Sequence, residues 1–293
     1  MYRYAVEIET HMPRGYERGP HGCGVPVPWL PGWLADADPS IVPPTTERWG
    51  IEYVSPILDG PDGLMAIHDA VAAIRARDGK VNVSCGIHVH VDFDKRDKAA
   101  VRRLTQLVAN VEKGLYAMTG TLARERGIGA RYNTNWCKSI KQYGTAGRAI
   151  RHATRDRYHL LNLATEKPTV EFRVFGASLN PVKIAAWVRI CVGLVERALA
   201  PNAGATPWNH KVKAGGLNGT KGIGEKEAAR LMFALGWTYE GFGTRKWGRK
   251  AFGAIGATNL EVSINEILRL ARKYDAALAA EQNGGGPQPP QPN

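Results

Sequence analysis

The chain has 293 residues, 44% hydrophobic and 23% charged, with a formal net charge of +12. These are the values of a globular protein able to bury a sizeable core, as one large domain or one domain with an appendage. No apolar run is long enough to span a bilayer, and the N-terminus opens on a strand pattern instead of a signal peptide. Cys23, Cys85, Cys137 and Cys191 lie more than fifty residues apart without a CxxC pair. They are expected to be free thiols in the cytoplasm, not a disulfide frame or a zinc site.

In chain order, RYAVEIET over 3–10 is the first predicted strand. Residues 11–48 are rich in Pro and Gly and predict a long irregular loop, of a length that commonly serves as a lid or substrate-binding segment. WGIEYVSPI over 49–57 is a second strand. Pro61 opens a helix through Arg77, with Leu64, Ile67, Val71 and Ile74 at helical spacing and Gly79 closing it. KVNVSCGIHVHVDF over 80–93 carries the strongest strand pattern, and residues 96–119 form a helix with Val101, Leu104, Val108, Val111 and Leu115 on one side. The polar, basic stretch 124–157 predicts loop and short helix, and TVEFRVF over 169–175 another strand. Asn180-Pro181 starts an apolar helix over 181–200. Gly-rich connectors at 202–224 and 236–259 surround a short helix at 225–235, before an amphipathic helix over 260–281. Residues 282–293, with their Gly, Pro and Gln, predict a disordered tail. The expected organisation is a catalytic domain over 1–200 and a helical extension over 201–281 packed on it.

Nearly all of the excess positive charge falls in one place. Residues 95–157 hold fifteen Lys and Arg against four acidic residues. Such a block could face nucleic acid, a nucleotide or an acidic substrate, and no zinc-finger, helix-turn-helix or RNA-recognition signature accompanies it.

Strand parity carries the chemistry. Alternate residues of a strand face opposite sides, so Glu7 and Glu9 share the face that Val6 and Ile8 avoid. Glu52 opposes Ile51 and Tyr53; His88, His90 and Asp92 oppose Ile87, Val89 and Val91; Glu171 and Arg173 oppose Val170, Phe172 and Val174. If the four strands join in one sheet, its back packs on helices and its front gathers Glu7, Glu9, Glu52, Glu171, His88 and His90. Each pattern singly also suits a solvated strand face or structural histidines. Together, four glutamates without cations would repel one another, and oxygen-rich ligands with one or two imidazoles suit Mg²⁺ or Mn²⁺. Such ions commonly serve phosphoryl transfer, for which Arg173 stands on the same face.

The stretches VEIET, DADPSI followed by WGIEYVSPIL, VNVSCGIHVHVD, RYHLLNL and TVEFRVF resemble the amidoligase family of the carboxylate–amine ligase superfamily, which includes glutamine synthetase and glutamate–cysteine ligase. The resemblance implies an α+β fold in which a curved antiparallel sheet, with helices packed on one face, binds ATP and two or three divalent ions on the other. It implies Glu7, His88 and Glu171 around one ion and Glu9 with Glu52 at another. It also implies Arg173 on the transferred phosphoryl group, Arg157 and Asn162 at substrate or phosphate, and His90 behind the ligands or facing substrate. The loop over 11–37 departs from that pattern in being long and proline-rich, so substrate selection need not follow a relative's, and the segment after residue 200 has no clear counterpart.

The leading expectation is therefore an ATP-dependent ligase joining a carboxylate to an amine through an acyl phosphate. The acceptor could be an amino acid, a peptide, a protein tail or a cell-wall fragment. A metal-dependent hydrolase using the same ligands would turn over without ATP. A basic nucleic-acid-binding protein would show salt-dependent DNA binding indifferent to chelator. Cys137 is expected to be a structural thiol, since no base stands near it in the sequence.

Overall fold

The computed structural model describes residues 2–126, 136–200, 207–208, 222–237 and 255–283, with side chains omitted for 255–259. Strand β1 (Arg3–Pro13) lies inside the sheet because both its edges are paired. One edge meets β4 (Arg48–Val54) and the other β6 (Gly86–Asp92), both antiparallel. The remaining strands are β2 (Val25–Pro26), β3 (Leu34–Asp36), β5 (Leu58–Asp59), β7 (Leu161–Asn162) and β8 (Thr169–Gly176). Their order is β2-β3-β4-β1-β6-β8-β7, with β5 paired to the start of β1, and every ladder is antiparallel. The sheet is open, not closed into a barrel.

The back face is apolar as parity requires. Val6, Ile8, Ile51, Tyr53, Ile87, Val89, Val91 and Phe172 are buried in one cluster with the helices. The helices among the described residues are α1 (Gly60–Ala76), α2 (Lys98–Ala117), α3 (Ala123–Arg126), α4 (Ala146–Ala153), α5 (Pro181–Leu199), α6 (Ile223–Ala234) and α7 (Ile255–Gln282), and all but α3 contribute to that cluster. Phe175 of β8 stacks on Trp187 of α5 with ring centroids 4.9 Å apart, and Trp187 Nε1 donates to the Met118 carbonyl at 3.0 Å. The helix starts follow local chemistry. Asp97 accepts from the Ala100 N–H at 2.9 Å, and Asn180 from Val182 and Lys183, with Pro181 already fixed for the first turn. Helix α6 packs on α2, and α7 on α5 and α6. No helix among the described residues is long and apolar enough to cross a membrane.

Several boundaries differ from the sequence expectation. The strand predicted over 80–93 begins at Gly86, because the Asn82 side chain accepts from the Ser84 N–H at 2.9 Å and turns the chain. The strand predicted to 57 ends at Val54, short of Pro56, which has no N–H to give a ladder. Residues 11–48 are not wholly irregular: β1 runs on to Pro13, and β2 and β3 extend the sheet past β4. The edge strand β7 was not anticipated, and α7 begins at Ile255, ahead of the predicted 260. Within 124–157, the described part holds a 3₁₀ turn over Lys141–Tyr143 and helix α4. The glycine-rich stretches 209–221 and 238–254 and the tail 284–293 lie outside the described residues.

Candidate active site

Cross-strand register assembles the site. Glu7 stands opposite His88, Glu9 opposite Glu52, and His90 opposite Glu171. β7 then places Asn162 opposite Glu171, and β3 places Asp36 opposite Glu52. Between Ile87 and Val89 the β6–β8 ladder has a bulge: Val89 faces Phe172 but Ile87 faces Phe175. Arg173 and Val174 therefore share the space opposite His88. The extra residue lets Phe172 and Phe175 both serve the core while Arg173 reaches the acidic face, a use of bulges common beside functional sites.

His88 is the hub. Its Nδ1 lies 3.0 Å from Glu7 Oε2, 3.5 Å from Glu171 Oε1 and 3.7 Å from Glu52 Oε1, while its Nε2 lies 3.4 Å from Glu9 Oε1. His90 Nε2 is 3.0 Å from Glu7 Oε1, a close charge contact without hydrogen-bond alignment. Glu171 is held from two sides, by Asn162 Nδ2 at 2.5 Å and by Arg173 Nη1. Glu9 accepts from the Gly86 N–H at 2.5 Å. Glu9, His88, His90, Asn162, Glu171 and Arg173 are all buried, and Glu7 and Glu52 nearly so.

Burial and neighbours set the charges. Burial pushes the Glu7 carboxyl up, but His90 and His88 outweigh it and hold Glu7 well below the usual carboxylate range. Glu171 is likewise lowered: burial opposes, and Arg173 and the two histidines win. Glu52 goes the other way. Burial raises it well above the carboxylate range, and Glu7, Glu9 and Asp38 push it further. Burial would lower His90, but Glu7 raises it.

Among the described residues, two groups of side chains have ligand atoms within 4.8 Å of one another: Glu7, His88 and Glu171, and Glu9, Glu52 and His88. Carboxylates with a shared imidazole form a hard, oxygen-rich donor set of the kind that suits Mg²⁺ or Mn²⁺. The crowding of Glu52 is a charge imbalance that a cation would relieve. The residues therefore fit divalent ions.

Asp36 is a member of this face that sequence reasoning passed over. It is buried, its Oδ1 has no hydrogen-bond partner among the described residues, and burial raises its pKa. The signal was present in DADPSI, but without the pairing of β3 nothing tied that loop residue to Glu52. Arg157 takes no part in the hydrogen-bonded cluster; it is exposed, its guanidinium over the Tyr158 ring. Cys137 is buried, and burial raises its thiol pKa, as an unreactive cysteine requires.

Residues 27–195, more than half of the chain, match the family described as "Putative amidoligase enzyme". The chain belongs to this amidoligase family. The matched span runs from β3 through most of α5 and includes Asp36, Glu52, His88, His90, Asn162, Glu171 and Arg173. It starts after β1, so Glu7 and Glu9 of this amidoligase are tied to the site by strand register and by their contacts with His88. No curated protein matches the chain.

Proposed function

We propose that this amidoligase is an ATP-dependent carboxylate–amine ligase, with a carboxylate activated as an acyl phosphate and the amine displacing phosphate. The observation that carries this reading is the convergence of Glu7, Glu9, Glu52 and Glu171 on His88 beside Arg173, on one face of one sheet. Glu7, His88 and Glu171 would hold one divalent ion, and Glu9 and Glu52, with Asp36 beside them, another. Bound Mg²⁺ or Mn²⁺ supplies charge neutralisation and orientation of phosphoryl oxygens.

The chain's own groups do the rest. Arg173 is pinned by Glu171 and aimed by the bulge, so its positive charge is already in place where negative charge develops on a transferring phosphoryl group. Asn162 fixes the other Glu171 oxygen and accepts from the Ala164 N–H at 2.7 Å, which removes freedom from a ligand carboxylate. His90, buried 3.0 Å from Glu7 Oε1, has its pKa raised by that carboxylate against the effect of burial.

The test is ATP-dependent release of phosphate with pooled amino acids and peptides as substrates, in Mg²⁺ or Mn²⁺, with products read by mass spectrometry. Glu171→Gln and Arg173→Ala should each lower turnover by about 100-fold or more, the scale for losing a preorganised charge at the reacting group. Undiminished turnover in either variant rules the assignment out, and turnover without nucleotide points to a hydrolase.

A further inference from the structure

Gly86 and Gly176 stand opposite each other where the β6–β8 ladder ends, beside Glu9. Neither has a side chain, and Arg124 of α3 occupies the space. A Cβ on Gly86 would lie 2.7 Å from Arg124 Nη2 and 3.4 Å from both Glu9 Oε2 and His88 Nε2; one on Gly176 would lie 3.8 Å from Arg124 Nε. The guanidinium is anchored by Nη2 donating to the Cys85 carbonyl at 2.7 Å. That partner is neutral, so the positive charge is not answered there, and among the described residues no other group accepts from the guanidinium's five donors. On the neighbouring row, Arg173 Nε is buried without a hydrogen-bond partner among the described residues. The face thus has an acidic side, Asp36–Glu52–Glu9, and a cationic side, Arg124 and Arg173.

We infer that Arg124 is a substrate-binding residue whose open donors receive an oxyanion, the phosphoryl group of a nucleotide or free phosphate, across from Glu9 and Glu52. Naming the nucleotide rests on the ligase reading; the oxyanion contact does not. The arrangement is a fork of planar donors facing a cation-binding carboxylate row, which is suited to phosphoryl oxygens.

Calorimetric titration of the full chain tests it with Mn²⁺ alone, Mn²⁺ with a non-hydrolysable ATP analogue, and inorganic phosphate. Arg124→Ala should bind Mn²⁺ alone within about threefold of wild type, because Arg124 ligates nothing. It should bind the analogue about 10- to 100-fold more weakly, the range for a lost charge-assisted hydrogen bond, with Arg124→Lys in between. Gly86→Ala, whose new Cβ would push the guanidinium aside, should weaken the analogue in the same direction and serves if Arg124→Ala fails to fold. Full-strength binding of analogue and phosphate in these variants overturns the inference and leaves the ligase reading standing. Phosphate bound through Arg124 without nucleotide binding upholds the inference and removes ATP. A wild-type chain that binds neither anion overturns both.

Discussion

At the scale of single residues, the acidic face stores a conflict. Glu52 is close to buried, with Glu7, Glu9 and Asp38 raising its pKa further. Glutamine keeps its size and removes the charge. Glu52→Gln should therefore raise the melting temperature of chelator-treated protein by about 2–4 °C, equivalent to about 1 kcal/mol, while weakening Mn²⁺ binding at least tenfold. Calorimetric melts with and without chelator would show it; equal melting temperatures would mean that the carboxylates are not crowded. His159 offers a separate pH test away from the site. It is fully buried, its Nδ1 lies 2.8 Å from the Asp156 carbonyl and its Nε2 2.7 Å from Tyr143 Oη. That arrangement suits a neutral ring, and burial lowers its pKa. A histidine depressed in the folded state stabilises fully above its unfolded pKa of about 6.5 and loses that contribution as pH falls through the folded value. The urea midpoint should fall as pH drops below about 6.5, with a smaller drop in His159→Gln.

At the scale of elements, the β8 bulge and the antiparallel registers decide which side chains meet. One extra residue opposite His88 keeps Phe172 and Phe175 on the helix side and frees Arg173 for the front. Element ends are fixed by local caps that can be tested without touching the site. Asp275 of α7 accepts from the N–H groups of Gly224 and Glu225 at 2.7 and 3.0 Å, capping α6 from another helix. Asp275→Ala should cost about 1 kcal/mol in urea unfolding and leave Mn²⁺ affinity unchanged. A change in Mn²⁺ affinity would mean that α6 and α7 reach the site.

At the scale of the whole molecule, the proposed ligands come from four strands spread over residues 7 to 171, and their convergence exists in the folded chain alone. A cation bound by them links directly to folding. At a concentration about 100-fold above its dissociation constant, Mn²⁺ should stabilise the chain by about 2.7 kcal/mol per site. Glu171→Gln should lose that increment, as read from urea midpoints with and without Mn²⁺. The charge distribution works on the same scale: residues 95–157 carry most of the excess positive charge, and within that stretch Arg124 is placed against the acidic face.

The face on which each of Glu7, Glu9, Glu52, His88, His90 and Glu171 lies was legible from sequence, because side-chain alternation in a strand is a local property of the backbone. Helix positions followed from apolar spacing, and two of their starts from Pro61 and from Asn180-Pro181. Strand order, register and the bulge were not legible, because they depend on pairing between distant segments, and no local pattern encodes which partner a strand finds. Those choices brought Asp36 beside Glu52 and left Arg124 over two glycines. The sequence by itself determined which groups share a face, since alternation needs nothing beyond the neighbouring peptide units. Tertiary structure alone decided which of them come within reach of one ion or one anion, since that distance is set by hydrogen bonds between strands far apart in the chain.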